Sequence, residues 1–336
     1  MLAHQRNTFT TSISTQFVTI KVLIEEFFLS SAALYNQALH RFLVFLAIIT
    51  FLLLIAGALV TSNQAGLAVP DWPTSFGHLF KIPPMVGGIK YEHGHHMLAE
   101  FVGLLTILAA FLVQFIDKRS WMRKLGWIAL LLVIIQGVLG GITVKMFLPW
   151  YISTAHAAVA QTFFCLIVLM ALFTSRGWIE NTTAPAPDNG RPSLSSLSLL
   201  SLFALYLQLF FGGAFRHSGM SILPHILNAV LVTGILIWTS VRGMIEGRSV
   251  TPIKAPARFV HGLLMLQIAL GVAAYFTRIK DADAPQPLPG MIATTVAHVG
   301  VGALLLASTF VLAVRTRRYF PAPATESAAS HKEAAA

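Results

Sequence analysis

The chain has 336 residues, 56% of them hydrophobic and only 11% charged, about half the charged share of an ordinary soluble domain. Its net charge of +10 would suit a nucleic-acid binder, but the cations fall at the ends of apolar segments, so they report topology. A single cysteine, Cys165, excludes an internal disulfide and a thiolate metal cluster. The composition predicts an all-α polytopic membrane protein with the lipid bilayer, and no nucleic acid, as its surroundings.

Residues 1–39 lack the basic start, apolar run and small-residue cleavage site of a signal peptide, and read as a cytoplasmic or interfacial segment. Eight apolar stretches follow, near 42–62, 93–116, 125–146, 150–174, 194–214, 220–242, 257–277 and 291–314. Each is long enough to cross a hydrocarbon layer of about 30 Å, which takes roughly 20 helical residues. Their unbroken apolar character argues for helices and against barrel strands. Pro185, Pro187, Gly190 and Pro192 mark 181–193 as a linker. It divides the chain into two four-helix bundles, 40–180 and 194–318, with a flexible tail at 319–336.

If the helices alternate in direction, six cations (Lys81, Lys90, Lys145, Arg216, Arg278 and Lys280) face outward and the other 17 of the 23 face inward. The positive-inside rule then places both termini in the cytoplasm.

The two halves carry a common pattern. Gln136, Gln208 and Gln267 are each followed four residues later by Gly140, Gly212 and Gly271, on the third, fifth and seventh stretches. In the first stretch Leu53 and Gly57 occupy the matching places. Each even-numbered stretch begins with a histidine: His95, His156, His225 and His298, roughly three to eight residues in, or about 5–12 Å along a helix axis. A lone membrane histidine is most simply a hydrogen-bonding group between helices. Four at one depth, two per half, instead suit two metal sites, each with an imidazole from two different helices, as a six-coordinate haem requires. The glycines also have a plain reading as close-packing positions between helices, and the glutamines are expected to face the bundle interior.

The second stretch opens with the densest polar cluster, Tyr91-Glu92-His93-Gly94-His95-His96, and continues to Glu100. Glu92 lies three residues before His95, on the same helix face, so that a ligand and a proton-transfer group can reach one bound molecule. A carboxylate favoured by the helix N-terminus is the alternative. His96 and Glu100, four residues apart, can pair with one another.

The loop string Thr61-Ser62-Asn63-Gln64-Ala65-Gly66-Leu67-Ala68-Val69-Pro70-Asp71-Trp72-Pro73, Glu92-x-x-His95 and Phe215-Arg216-His217-Ser218-Gly219 resemble the haem A synthase family of cytochrome oxidase assembly proteins, from about His40 to Arg318. That resemblance implies oxidation of the C8 methyl of haem O to a formyl group, giving haem A. It implies substrate haem O between His95 and His156 with Glu92 as the required acid, and haem B between His225 and His298. Arg216, with Lys81, Lys90, Lys145 and Arg278, is a candidate for the haem propionates. Partners would be a haem O synthase delivering substrate and an electron donor or acceptor that the residues do not identify; a homo-oligomer stays open. The chain departs from the family at His96, where an arginine is usual, and at Ile226 after His225, and it has no outer-loop cysteine pair such as some bacterial relatives carry. Two other readings stand beside this one: a two-haem electron-transfer cytochrome that modifies no substrate, and a solute transporter lined by Glu92, Glu100 and the glutamines.

Overall fold

The structure is a computed structural model describing residues 35–78, 82–280, 283–284 and 286–321. Most of the N-terminal segment, most of the C-terminal tail and Lys81 lie outside the described residues. Within them, apart from one isolated bridge between Ser75 and His78, all regular structure is helical. Eight helices are long and apolar enough to cross a membrane: α1 (Gln37–Ser62), α2 (Ile89–Ile116), α3 (Ser120–Lys145), α4 (Trp150–Phe173), α5 (Leu194–Arg216), α6 (Leu223–Glu246), α7 (Thr251–Lys280) and α8 (Pro289–Tyr319). The protein is an integral membrane protein.

Several helices run a few residues beyond the stretches that hydropathy marks, because capping and flanking polar groups continue them past the hydrocarbon. Asn36 Oδ1 accepts the Leu39 N–H at 2.9 Å at the start of α1, and Ser193 Oγ accepts the Ser196 N–H at 3.1 Å at the start of α5. Pro224 and Pro289 occupy first-turn positions of α6 and α8, where the missing N–H costs nothing.

The helices form two closed rings. In the first, α1 packs on α2, α2 on α3, α3 on α4 and α4 back on α1; in the second, α5 to α8 do the same. The rings meet where α4 touches α5 and α8, and α8 touches α1. Each ring has its own apolar core, Leu43, Leu46, Val113, Met122, Ile167 and Met170 in one, and Leu197, Leu236, Ile253, Leu305 and Leu312 in the other. Helix α4 serves both: Phe163 and Ile167 enter the first core, Phe164 and Cys165 the second. Both cores fill the end of the rings that carries the linker. The four repeated histidines lie at the opposite end, all half-buried.

The linker is tied down. The Ala186 N–H donates to Tyr319 O at 2.8 Å, and Asp188 accepts both the Leu194 N–H and, at 2.8 Å, a guanidinium N–H of Arg242 on α6.

Candidate functional site

Each of the four histidines lies against a glycine of the preceding helix. A Cβ added at Gly57 would come within 3.1 Å of His95 Cε1, at Gly140 within 3.1 Å of His156, at Gly212 within 2.9 Å of His225 and at Gly271 within 3.1 Å of His298. Any side chain there would displace the ring, so the glycines are cradles for imidazoles. Gly57 completes the repeat in α1, where the sequence pattern was partial.

The glutamines one turn earlier reach the same histidines. Gln136 Nε2 lies 3.2 Å from His156 Nε2 and donates to His156 O at 3.0 Å. Gln208 Nε2 lies 3.1 and 3.2 Å from the two ring nitrogens of His225 and donates to His225 O at 3.1 Å. Gln267 Nε2 lies 3.3 Å from His298 Nε2. Asn228 fixes the second of these, donating to Gln208 Oε1 at 2.8 Å and to Ala204 O at 3.2 Å. Sequence reading placed the glutamines in the bundle interior without a partner; the histidine that each one meets follows from how the helices pack.

The imidazoles of His225 and His298 are 6.3 Å apart between centroids. Two imidazoles on opposite sides of one metal ion, each bonded at about 2 Å, put their centroids about 6 Å apart. His95 lies within electrostatic reach of His156. Buried Nδ1 atoms of His95, His156 and His298 have no hydrogen-bond partner, a deficit of about 1–3 kcal/mol each that a bound ligand can remove. Among the described residues no three His, Cys, Asp or Glu side chains gather to hold a bare metal ion. Two imidazoles per ring fit a metal whose remaining ligands come with it, as in a metalloporphyrin.

Glu92 is 2% exposed, and its Oε2 accepts the Val69 N–H at 2.6 Å. Next to it, His93 Nδ1 is 3.0 Å from Ser75 Oγ. These two residues fasten the outer loop across the mouth of the first ring, and the loop's Trp72 ring lies against Gly141 of α3. Within the loop, burial raises the Asp71 carboxyl, but hydrogen bonds from Thr74, Gly77 and Phe76 outweigh it and hold it below its ordinary value.

Arg216, expected beside His225, reaches across the seam between the rings. Its Nη2 donates to Ala58 O at 3.1 Å and to Ser62 Oγ at 2.7 Å on α1, and Ser62 Oγ is 3.0 Å from Thr295 Oγ1 on α8. Burial, and then the neighbouring Arg216 charge, push the His217 imidazole down to about 4. The guanidinium of Arg278 stacks 4.9 Å from the Phe215 ring. His96 and Glu100 form no ion pair among the described residues; Glu100 is exposed on the outside of α2. His40 and His261 have local partners at the other end, Ala171 O at 3.1 Å and Ser240 Oγ at 3.0 Å.

Residues 89–224 match the family described as cytochrome oxidase assembly protein. The match takes in Glu92, His95, His156 and Arg216, and ends one residue before His225. The heme A synthase of Shewanella oneidensis is 26% identical over 322 residues, covering 77% of this chain and 91% of that protein. A heme A synthase of Listeria monocytogenes is 33% identical over 134 residues, 39% of this chain and 43% of the relative. One from Alkalihalophilus pseudofirmus is 27% identical over 158 residues, 45% and 53% respectively.

Proposed function

From its similarity to cytochrome oxidase assembly proteins and heme A synthases, we propose that the chain belongs to that family and converts haem O to haem A, oxidising the C8 methyl to a formyl group with an oxygen atom from water or dioxygen and four electrons passed to an external acceptor. The observation that carries this reading is the repeated seat, an imidazole against a glycine at the open end of each ring.

His95 and His156 would bracket substrate haem O in the α1–α4 ring, and His225 and His298 would hold haem B in the α5–α8 ring. Haem B supplies one-electron transfer when bound. Glu92 would hold or move a proton at its carboxyl as the methyl group loses hydrogen, and its bond to the Val69 N–H keeps the outer loop closed over the first ring, excluding water. Arg216 reaches α1 beside Gly57, the cradle of His95, and would place a fixed positive charge between the two sites, where haem propionates need one. Delivery by a haem O synthase, a bacterial inner membrane and cytoplasmic termini complete the proposal.

The test is to express the protein in cells that make haem O, extract its haems and identify them by mass. Haem B together with haem A or a hydroxylated haem O supports the reading. Two haems that stay unchanged would favour an electron-transfer cytochrome, and no haem at all a transporter.

A further inference from the structure

One ionisable side chain sits deep in a span and on its outer surface. Every other Asp, Glu, Lys and Arg of the eight helices lies within eight residues of a helix end, whereas Glu100 is the twelfth of the 28 residues of α2. It lies about 10 Å inside the apolar stretch that starts near residue 93. Its neighbours on that side of α2, Met97, Phe101, Leu104 and Leu108, are exposed, while Val102, Thr106, Ala109 and Val113 turn into the ring. The α6 residue in the same register, five places after its histidine, is Val230, 71% exposed, as contact with lipid requires. Glu100 has no ion pair among the described residues.

A carboxyl group in hydrocarbon is costly unless another polar group meets it, and such residues mark sites of interaction. Copies of one membrane protein share orientation and depth, so Glu100 of one copy finds Glu100 of another at the same height. A carboxyl accepts hydrogen bonds and, sharing a proton, also donates one, so two of them satisfy each other across a symmetric contact. Beside Glu100, the small residues Ala99 and Gly103 are four apart, a spacing that lets helices approach closely in lipid. A Cβ at Gly103 would meet nothing within 4 Å, so that space is open. We propose that a second copy of this chain docks on the outer face of α2, with the two Glu100 carboxyls hydrogen-bonded to each other within the bilayer. The inference rests on the membrane-spanning fold and is independent of the haem assignment.

The test is self-association of the purified full chain in lipid vesicles, half of it carrying a donor fluorophore at the C-terminus and half an acceptor, diluted stepwise with lipid. The unaltered protein should show energy transfer that falls as lipid is added. Glu100→Leu should weaken association about threefold to thirtyfold, the worth of one polar contact between membrane helices. It should insert at least as well, because it sets an apolar side chain in lipid. Glu100→Gln, whose amide both donates and accepts, should associate nearly as the unaltered protein does, and Val230→Leu on α6 should change nothing. Glu100→Lys should lose transfer alone and regain it when mixed with the unaltered protein, an arm that misfolding does not mimic. No transfer in the unaltered protein, as some other molecule seated on α2 would give, would overturn the proposal. So would transfer that neither Glu100→Leu nor Glu100→Lys alters.

Discussion

The two rings use one seat, repeated four times, and surround it differently. At the open end of the first ring the outer loop is fastened by Glu92 and His93 and pressed down by Trp72 on Gly141. At the open end of the second, Arg216, the last residue of α5, reaches away into the neighbouring ring. The first ring thus has a loop fastened across its mouth, and a leucine, Leu53, at the place where the other three seats carry a glutamine. Similar helices become different sites through the residues one turn away from the ligands.

The largest effect that could break this comparison comes from the ligands themselves. His298→Ala should release the haem of the second ring and lower the haem retained per protein by about half, whereas His95→Ala should leave haem on His156; a haemochrome assay distinguishes them. Next is the seat. Gly271→Val forces a branched side chain against the His298 ring at a cost of about 1–3 kcal/mol, roughly a fivefold to hundredfold weaker hold on the haem proposed there. Gly234→Ala, with open space around it, should leave haem content unchanged. Glu92→Ala removes the acceptor of the Val69 N–H, leaving a buried donor unpaired at a cost of about 1–3 kcal/mol, and should speed hydrogen exchange over the outer loop. Glu92→Gln keeps an acceptor there, so activity lost in Glu92→Gln with a protected loop would isolate the proton-transfer role.

The smallest effect is in pH. The folded His217 value of about 4 lies below the ordinary 6.5. Below pH 6.5 the unfolded chain therefore binds a proton that the folded one refuses, and stability falls progressively as pH drops towards 4. His217→Asn should flatten that part of a thermal-unfolding profile; an unchanged slope would show that His217 does not carry this pH dependence.

Much of this was legible in the sequence, for a physical reason. A helix in lipid must be apolar along its whole length, so the eight spans stand out, and any polar residue inside them attracts notice. Starts were harder to read: α7 begins at Thr251, ahead of its apolar stretch, because hydropathy marks the hydrocarbon while a helix continues through the interface. The histidines and cradle glycines were readable as a repeat. The glutamine partners were not, since spacing gives a face and not a neighbour, and Arg216 crossing to α1 depends on how the rings dock. The linker read as loose from its prolines and glycine, yet Asp188 and Arg242 fasten it, a pairing across 54 residues that composition does not register.

Helix α4 presents Phe163 to one core and Phe164 to the other, and it also carries His156. The protein is therefore not separable at its linker into two self-sufficient bundles. A C-terminal fragment made alone would offer lipid the groove that Phe164 fills, and an N-terminal fragment would expose that phenylalanine, so co-expressed pieces have an apolar reason to find each other again before either can be loaded.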